Sequence, residues 1–322
     1  MQYRKLGKTG LKVSEISLGS WLTYGNSTEK ETAIRTIDKA YELGINFFDT
    51  ANVYAIGQAE RVVGEALHKY PRESYVLATK VFWPMGSGVN DRGLSRKHVF
   101  EQAHASLKRL GVDYVDIYYC HRYDPETPVY ETLRVIDDLI RQGKVLYAGV
   151  SEWTAAQIQE ALHVADRYLL DRIVVNQPLY NMLDRKIESE IIPLCEHNGI
   201  AQVVFSPLAQ GILTGKYKDP QSLPAGSRAT DPKANNFIGG YLNATTLGQV
   251  AQLNQIAAGL GIPMPQFALA WVLRQANVAS ALIGASRPAQ VEENVKASGV
   301  VLSADVLQQV ESILHGQESV PA

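Results

Sequence analysis

Cysteine is scarce in this chain, with 2 among 322 residues. Cys120 and Cys195 lie far apart, in neither CxxC nor metal-ligand spacing, so they read as reduced thiols in a core and imply a reducing compartment. No run of about 18 apolar residues occurs. The basic start Met1-Gln2-Tyr3-Arg4-Lys5-Leu6-Gly7-Lys8 has no apolar segment of a secretory signal behind it. A cytoplasmic protein without membrane insertion is expected. The glycosylation-like triplets Asn26-Ser27-Thr28 and Asn243-Ala244-Thr245 then read as coincidences. An excess of one charge is also missing: 31 Lys+Arg stand against 33 Asp+Glu, a net charge of -2, which leaves no footprint for nucleic acid or an anionic membrane. There is no Gly-x-Gly-x-x-Gly. Gly211-Ile212-Leu213-Thr214-Gly215-Lys216-Tyr217 is one residue short of a P-loop and lacks the hydroxyl after its lysine, so neither a doubly wound dinucleotide fold nor an NTPase site is supported. No Pro/Gly/Ser linker divides the chain, which predicts one domain over residues 1–316 and a disordered tail over 317–322.

What is present is a 46% hydrophobic chain whose short apolar runs alternate with longer segments of helical period. The runs begin at Ile16, Asn46, Tyr75, Val115, Leu146, Ile173, Gln202 and Ser280. Between them, Glu31 to Leu43, Arg96 to Leu110, Tyr130 to Arg141, Thr154 to Arg167 and Glu188 to His197 read as helices, with Gly44, Gly111, Gly143 and Gly199 as stop signals. Eight strand-then-helix units predict an α/β protein, a (β/α)8 TIM barrel with a C-terminal helix. Ahead of it, Tyr3-Arg4-Lys5-Leu6 and Val13-Ser14-Glu15-Ile16 flank Gly7-Lys8-Thr9-Gly10 as a β-hairpin placed to plug one barrel end. The stretch from Lys216 to Asn243 lacks a clear period, and a connection of that length in a compact domain is usually functional or mobile.

Strand alternation puts residues two apart on one face. Phe47 with Asp49, Ala78 with Lys80, Tyr119 with His121, Gly149 with Ser151 and Val175 with Gln177 give five consecutive strands a polar residue at the C-terminal end of one face. Taken singly these residues are ordinary: a turn aspartate, a strand-end lysine, a core histidine, and in Tyr54 a loop aromatic. Gathered at one barrel mouth, Asp49, Tyr54, Lys80 and His121 form an acid machine. An ammonium beside a phenol favours phenolate and lowers its pKa, and a carboxylate anchors the ammonium. Tyr54 is then the proton donor.

After the eighth strand, Gly284-Ala285-Ser286-Arg287-Pro288-Ala289-Gln290 places a proline at a helix start with a hydroxyl and a guanidinium beside it, which suits either a phosphate site or an ordinary capped helix. Phe205-Ser206-Pro207-Leu208 after the seventh strand offers an aromatic to stack on a flat ring, or simply a proline turn.

With these residues assembled, the chain resembles the aldo-keto reductases, most closely the branch containing the β-subunits of voltage-gated potassium channels and their bacterial relatives. The resemblance runs from Tyr3-Arg4-Lys5-Leu6-Gly7 through Asp49-Thr50-Ala51-Asn52-Val53-Tyr54, Gly93-Leu94-Ser95-Arg96-Lys97-His98, Tyr114-Val115-Asp116, Phe205-Ser206-Pro207-Leu208 and Leu282-Ile283-Gly284-Ala285-Ser286 to Glu293-Asn294. It implies an NADPH-dependent oxidoreductase that reduces aldehydes or ketones to alcohols. The catalytic tetrad falls on Asp49, Tyr54, Lys80 and His121. Ser151 and Gln177 match positions holding the carboxamide, Phe205 stacks on the nicotinamide, and Ser206, Leu208, Gly211 and Lys216 line the pyrophosphate. Ser286, Arg287 and Gln290 take the 2′-phosphate, Glu293 and Asn294 the adenine, and Gly19, Trp21, Asp49 and Gly284 complete the cofactor set. No metal is implied. The branch tends to assemble, which implies a homo-oligomer.

Glu152 departs from the asparagine or arginine usual beside the Ser151 position, so no cofactor contact is assigned to it. The spacer from Ala51 to Glu60 is longer than in short-loop reductases, and His121 is present where channel β-subunits often carry asparagine. Trp21, Tyr24 and Trp83, with Phe82 and Tyr123, follow barrel strands and form an aromatic substrate pocket or pack loops over the barrel. Two other functions compete. One is an NADPH-binding redox-sensing or channel-regulating subunit with slow turnover; the other is an aldolase using Lys80 as a Schiff-base amine, which a paired carboxylate disfavours.

Overall fold

The chain opens with the antiparallel hairpin of β1 (Tyr3–Lys5) and β2 (Lys12–Ser14), in which Tyr3 lies opposite Ser14. This computed structural model describes residues 1–25, 28–232 and 234–315, so the first triplet's Asn26 and the tail over 317–322 lie outside the described residues. Ile16 does not extend the hairpin as its sequence suggests. It starts β3 (Ile16–Gly19), because Leu18 and Gly19 already pair with the next barrel strand.

Eight parallel strands close the barrel: β3, β4 (Phe47–Asp49), β5 (Val76–Val81), β6 (Val115–Cys120), β7 (Val145–Ser151), β8 (Ile173–Gln177), β9 (Ala201–Phe205) and β10 (Val278–Gly284), which returns to pair with β3. Around them run α1 (Lys30–Glu42), α2 (Gln58–Leu67), α3 (Arg96–Leu110), α4 (Val129–Arg141), α5 (Ala155–Tyr168) and α6 (Ile191–Asn198). Then come α7 (Ala244–Gly259) and α8 (Met264–Leu273) before β10, α9 (Pro288–Asn294) after it, and α10 (Ala304–His315). The TIM barrel, the hairpin and the C-terminal helix are therefore as the alternating pattern predicts.

Two helices start later than the periodicity suggests. Thr154 is the N-cap of α5, not its first residue, because its side chain accepts from the Gln157 N–H in a capping box. Glu188 precedes α6 in a short 3-10 turn, held out of the helix by hydrogen bonds from Tyr180, Arg185 and Arg274. Among the described residues no single helix is long and apolar enough to cross a membrane; α7 and α8 meet at 92°, and all of α8 is buried.

The alternation of strand side chains divides the core in two. One apolar layer lies between strands and helices, and a second fills the barrel with Phe47, Ala78, Ile117, Tyr119, Val175 and Val203. Leu6 and Val13, both fully buried, join that inner cluster, so the hairpin does plug the barrel. Burying each such side chain is worth about 1.5–3 kcal/mol. Gly149 is fixed by sterics: a Cβ there would sit 2.5 Å from Cδ1 of the Tyr119 ring. With one end filled, only the C-terminal mouth of the strands is left for a cleft.

Candidate active site

At the floor of that mouth, Lys80 is fully buried and Asp49 is 2% exposed. The strand register sets their meeting: Asp49 lies opposite Ala78, two residues before Lys80 on the same inward face. Lys80 Nζ donates to Asp49 Oδ1 in a short ion pair and to the Thr50 carbonyl at 2.8 Å. Gln177 Nε2 donates to Asp49 Oδ2 at 2.9 Å, so both carboxylate oxygens are engaged. Ser151 Oγ in turn donates to the Gln177 carbonyl at 2.8 Å. Burial raises the Asp49 carboxyl and lowers the Lys80 ammonium, and the contact between them opposes both shifts. A second buried carboxylate, Glu60 on α2, braces the outer side of β5 by accepting from Thr79 Oγ1 at 2.6 Å and from Arg109 of α3.

Tyr54 enters from the loop after β4. Asn52, fully buried, anchors that loop by donating to Gln102 on α3 at 3.1 Å. Ala55 and Ile56 then adopt left-handed φ of 48° and 49° to turn the chain into α2. The half-buried Tyr54 ring lies 5.0 Å from Lys80 Nζ and edge-on to His121, with ring centroids 5.7 Å apart. Here the structure reverses one expectation. The phenol is not lowered by its cationic neighbour: burial, then the Asp49 charge, hold it well above its ordinary value, and Arg122 only partly opposes this. His121, 7% exposed, is held well below its ordinary value by burial and by the Lys80 and Arg122 charges. The floor thus presents a protonated phenol and a neutral imidazole.

Above it opens a cleft of about 730 Å³. Gly19, Trp21, Ser151, Gln177, Phe205, Ser206, Leu208, Gly211 and Lys216 line it, as do Gly284, Ser286, Arg287, Gln290, Glu293 and Asn294 from the end of β10 onward. Every cofactor position expected from sequence is therefore on the wall except Asp49, which lies beneath it. At the start of α9, Gln290 Oε1 accepts from the Ser286 N–H at 2.8 Å, and Pro288 occupies the first turn.

The aromatic pocket fares differently. Trp21 lines the cleft, but Tyr24 is 2% exposed within the outer core and absent from the cleft wall, so it is a packing residue and not a substrate contact. Trp83 is also absent from the cleft wall; it is 38% exposed, with its ring edge-on to His121 at 6.4 Å. Glu152 points out of the cleft: exposed, at φ 58°, it accepts from the Leu179 N–H at 2.6 Å and so braces the end of β8.

Sequence reasoning missed Arg122, Gln210, Arg228 and Asp231, all on the wall. Arg122 was findable, since it directly follows the strand-end residue His121. Arg228 and Asp231 lie in the aperiodic stretch, which folds over the cleft in short 3-10 turns and brings Phe237 to 5.0 Å from Trp21. Arg228 donates to Gln210 Oε1.

His121 also carries a pH signature. Its folded pKa lies below the ordinary 6.5, so below that pH the unfolded chain takes up a proton that the folded chain refuses. Stability attributable to His121 is constant above pH 6.5 and falls as pH drops through it, by up to about 1.4 kcal/mol per pH unit. Urea unfolding of wild type and His121→Gln between pH 8 and about 5 should show the variant losing less stability at the acid end; parallel curves would contradict a buried neutral imidazole.

Residues 15–315 match the model of a family described as the Aldo/keto reductase family. The chain is 44% identical over 326 residues to a probable voltage-gated potassium channel subunit beta of Arabidopsis thaliana, covering 100% of this chain and 99% of that one. It is 43% identical to the probable subunit beta of Oryza sativa subsp. japonica, over 98% of each chain. It is likewise 43% identical to the putative subunit beta of Schizosaccharomyces pombe, over 97% of this chain and 93% of that one. Matched over its barrel and its full-length relatives alike, the chain belongs to the aldo/keto reductase family.

Proposed function

We propose that the protein is an NADPH-dependent oxidoreductase that reduces aldehydes or ketones to alcohols. The observation that carries this reading is the buried Asp49–Lys80 pair beneath Tyr54 and His121 at the floor of a 730 Å³ cleft. The wall fits an extended phosphorylated dinucleotide. Ser151 and Gln177 supply amide-matching groups at the tetrad end, Phe205 an aromatic face, and Lys216, Arg228 and Arg287 cationic contacts elsewhere along the cleft.

When bound, NADPH supplies the hydride that adds to the carbonyl carbon. Tyr54 gives its proton to the carbonyl oxygen, and the raised pKa keeps that proton in place until charge develops on the oxygen. Lys80 stabilises the phenolate left behind, and Asp49 holds Lys80 charged and aimed. His121, neutral and edge-on to Tyr54, orients and polarises the carbonyl. A Schiff-base role for Lys80 is disfavoured by the same ion pair, since the attacking form of an amine is neutral.

A second reading is a cofactor-binding redox sensor or channel-regulating subunit with slow turnover, and of this the relatives' names favour the channel-subunit part. The two separate on one assay. With NADPH and a reactive aldehyde, wild type should turn over and Tyr54→Phe should lose on the order of 10²-fold or more in kcat. Equal rates would remove Tyr54 from the proton-donor role, and negligible turnover of wild type with cofactor retained would favour the sensor.

Cofactor choice should depend on Arg287. Arg287→Ala is expected to weaken NADPH binding by about 10-fold or more while leaving NADH within about 2-fold, as titration of protein fluorescence would show. Equal losses for both cofactors would place the 2′-phosphate elsewhere.

A further inference from the structure

Resting on the carbonyl-reductase reading, we propose that Arg122 selects substrates carrying a carboxylate beside the carbonyl-bearing group, so that oxo-acids and carboxylated aldehydes are favoured over neutral analogues. Arg122 follows β6, and its side chain lines the cleft together with Tyr54 and His121. Its Nη1 donates to the His121 carbonyl at 2.5 Å, and its guanidinium lies 5.8 Å from the Trp83 ring centroid. The backbone contact and the indole thus fix the fork at the catalytic end.

The guanidinium forms no ion pair. No carboxylate oxygen lies within 4.0 Å of Arg122 among the described residues. The acids that share its end of the barrel are committed elsewhere. Asp49 is held by Lys80 and Gln177, and Glu152 accepts from the Leu179 N–H. Asp124 accepts from the Leu94 N–H, the Glu126 N–H and the Thr127 hydroxyl. The cleft's own acids, Asp231 and Glu293, follow β9 and β10, and β10 stands four strands from β6 in a ring of eight. Lys80 is paired with Asp49, so Arg122 is the cation beside Tyr54 and His121 that makes no ion pair among the described residues.

An arginine stays charged at any working pH, and one bond to His121 leaves several N–H donors of its planar fork for a bidentate carboxylate. A carboxylate on the substrate would meet that fork while its carbonyl faces Tyr54 and His121. A purely structural Arg122, serving only to tie the β6 end through His121, would treat charged and neutral substrates alike.

The test uses the whole protein with NADPH and six probes: 2-, 3- and 4-carboxybenzaldehyde and the methyl ester of each. Wild type should prefer at least one acid over its ester in kcat/KM, chiefly through KM. In Arg122→Gln that acid-to-ester ratio should fall on the order of 10- to 100-fold, and Arg122→Lys should restore part of it. Equal losses for acid and ester, or a preference of wild type for the ester of every isomer, would overturn the proposal. Binding of the corresponding carboxybenzyl alcohols and their esters, read by tryptophan fluorescence, decides the same ratio without turnover. A protein that reduces none of the aldehydes but binds the acids through Arg122 would refute the reductase reading and keep the anion site; one that reduces them without charge preference would do the reverse.

Discussion

The site is built around one ion pair in a place where ions are costly. Lys80 has no exposed surface, and an ammonium taken out of water that far is stable only with a partner and with its remaining donors engaged. Asp49 from β4 and the Thr50 carbonyl supply both, and Gln177 reaches from β8 across the barrel to the second carboxylate oxygen. Removing one member of such a pair typically costs about 3–5 kcal/mol. The strands converging on Asp49 and Lys80 are thereby held at a common level, and Tyr54 takes its position over that level. Beneath, Leu6 and Val13 of the hairpin close the barrel and keep water from the pair.

Much of this was legible in the sequence because a barrel strand is buried on both faces. Such strands leave short apolar runs between glycine-terminated helices, and strict alternation then assigns Asp49, Lys80, His121, Ser151 and Gln177 to one face without knowledge of contacts. What periodicity does not carry is the depth of burial. Spacing misleads on the direction of the Tyr54 shift for that reason: it places a lysine nearby, but desolvation and then the Asp49 charge raise the phenol, and Arg122 is the cation that opposes them. It misleads on Tyr24 for the same reason, as an aromatic after a strand reads alike on a cleft wall and in a core. Arg228 and Asp231 escape because an aperiodic segment has no face to assign.

The mouth also concentrates backbone strain. Leu22, Ala55, Ile56, Glu152, Ser206, Ala209 and Gln210 all adopt left-handed φ without being glycine, and each follows the C-terminal end of a barrel strand. Each costs on the order of 1 kcal/mol or more, which the surrounding packing must offset. The turn from Ser206 to Gln210 shows how: Gln210 Nε2 donates to Ser206 Oγ at 2.6 Å while its oxygen accepts from Arg228, so the strained turn is tied to the strap above it. Rigid strands thus set the chemistry, and strained loops set the shape around it.

The central claim is that Asp49 acts through Lys80 as a single unit. A double-mutant cycle on single-turnover carbonyl reduction by Asp49→Asn, Lys80→Met and the double variant, each shown folded by circular dichroism, tests it most directly. The double variant should be about as slow as the slower single variant, because removing either partner already disables the pair. Losses that multiply would mean that the two residues act independently, and would contradict the account.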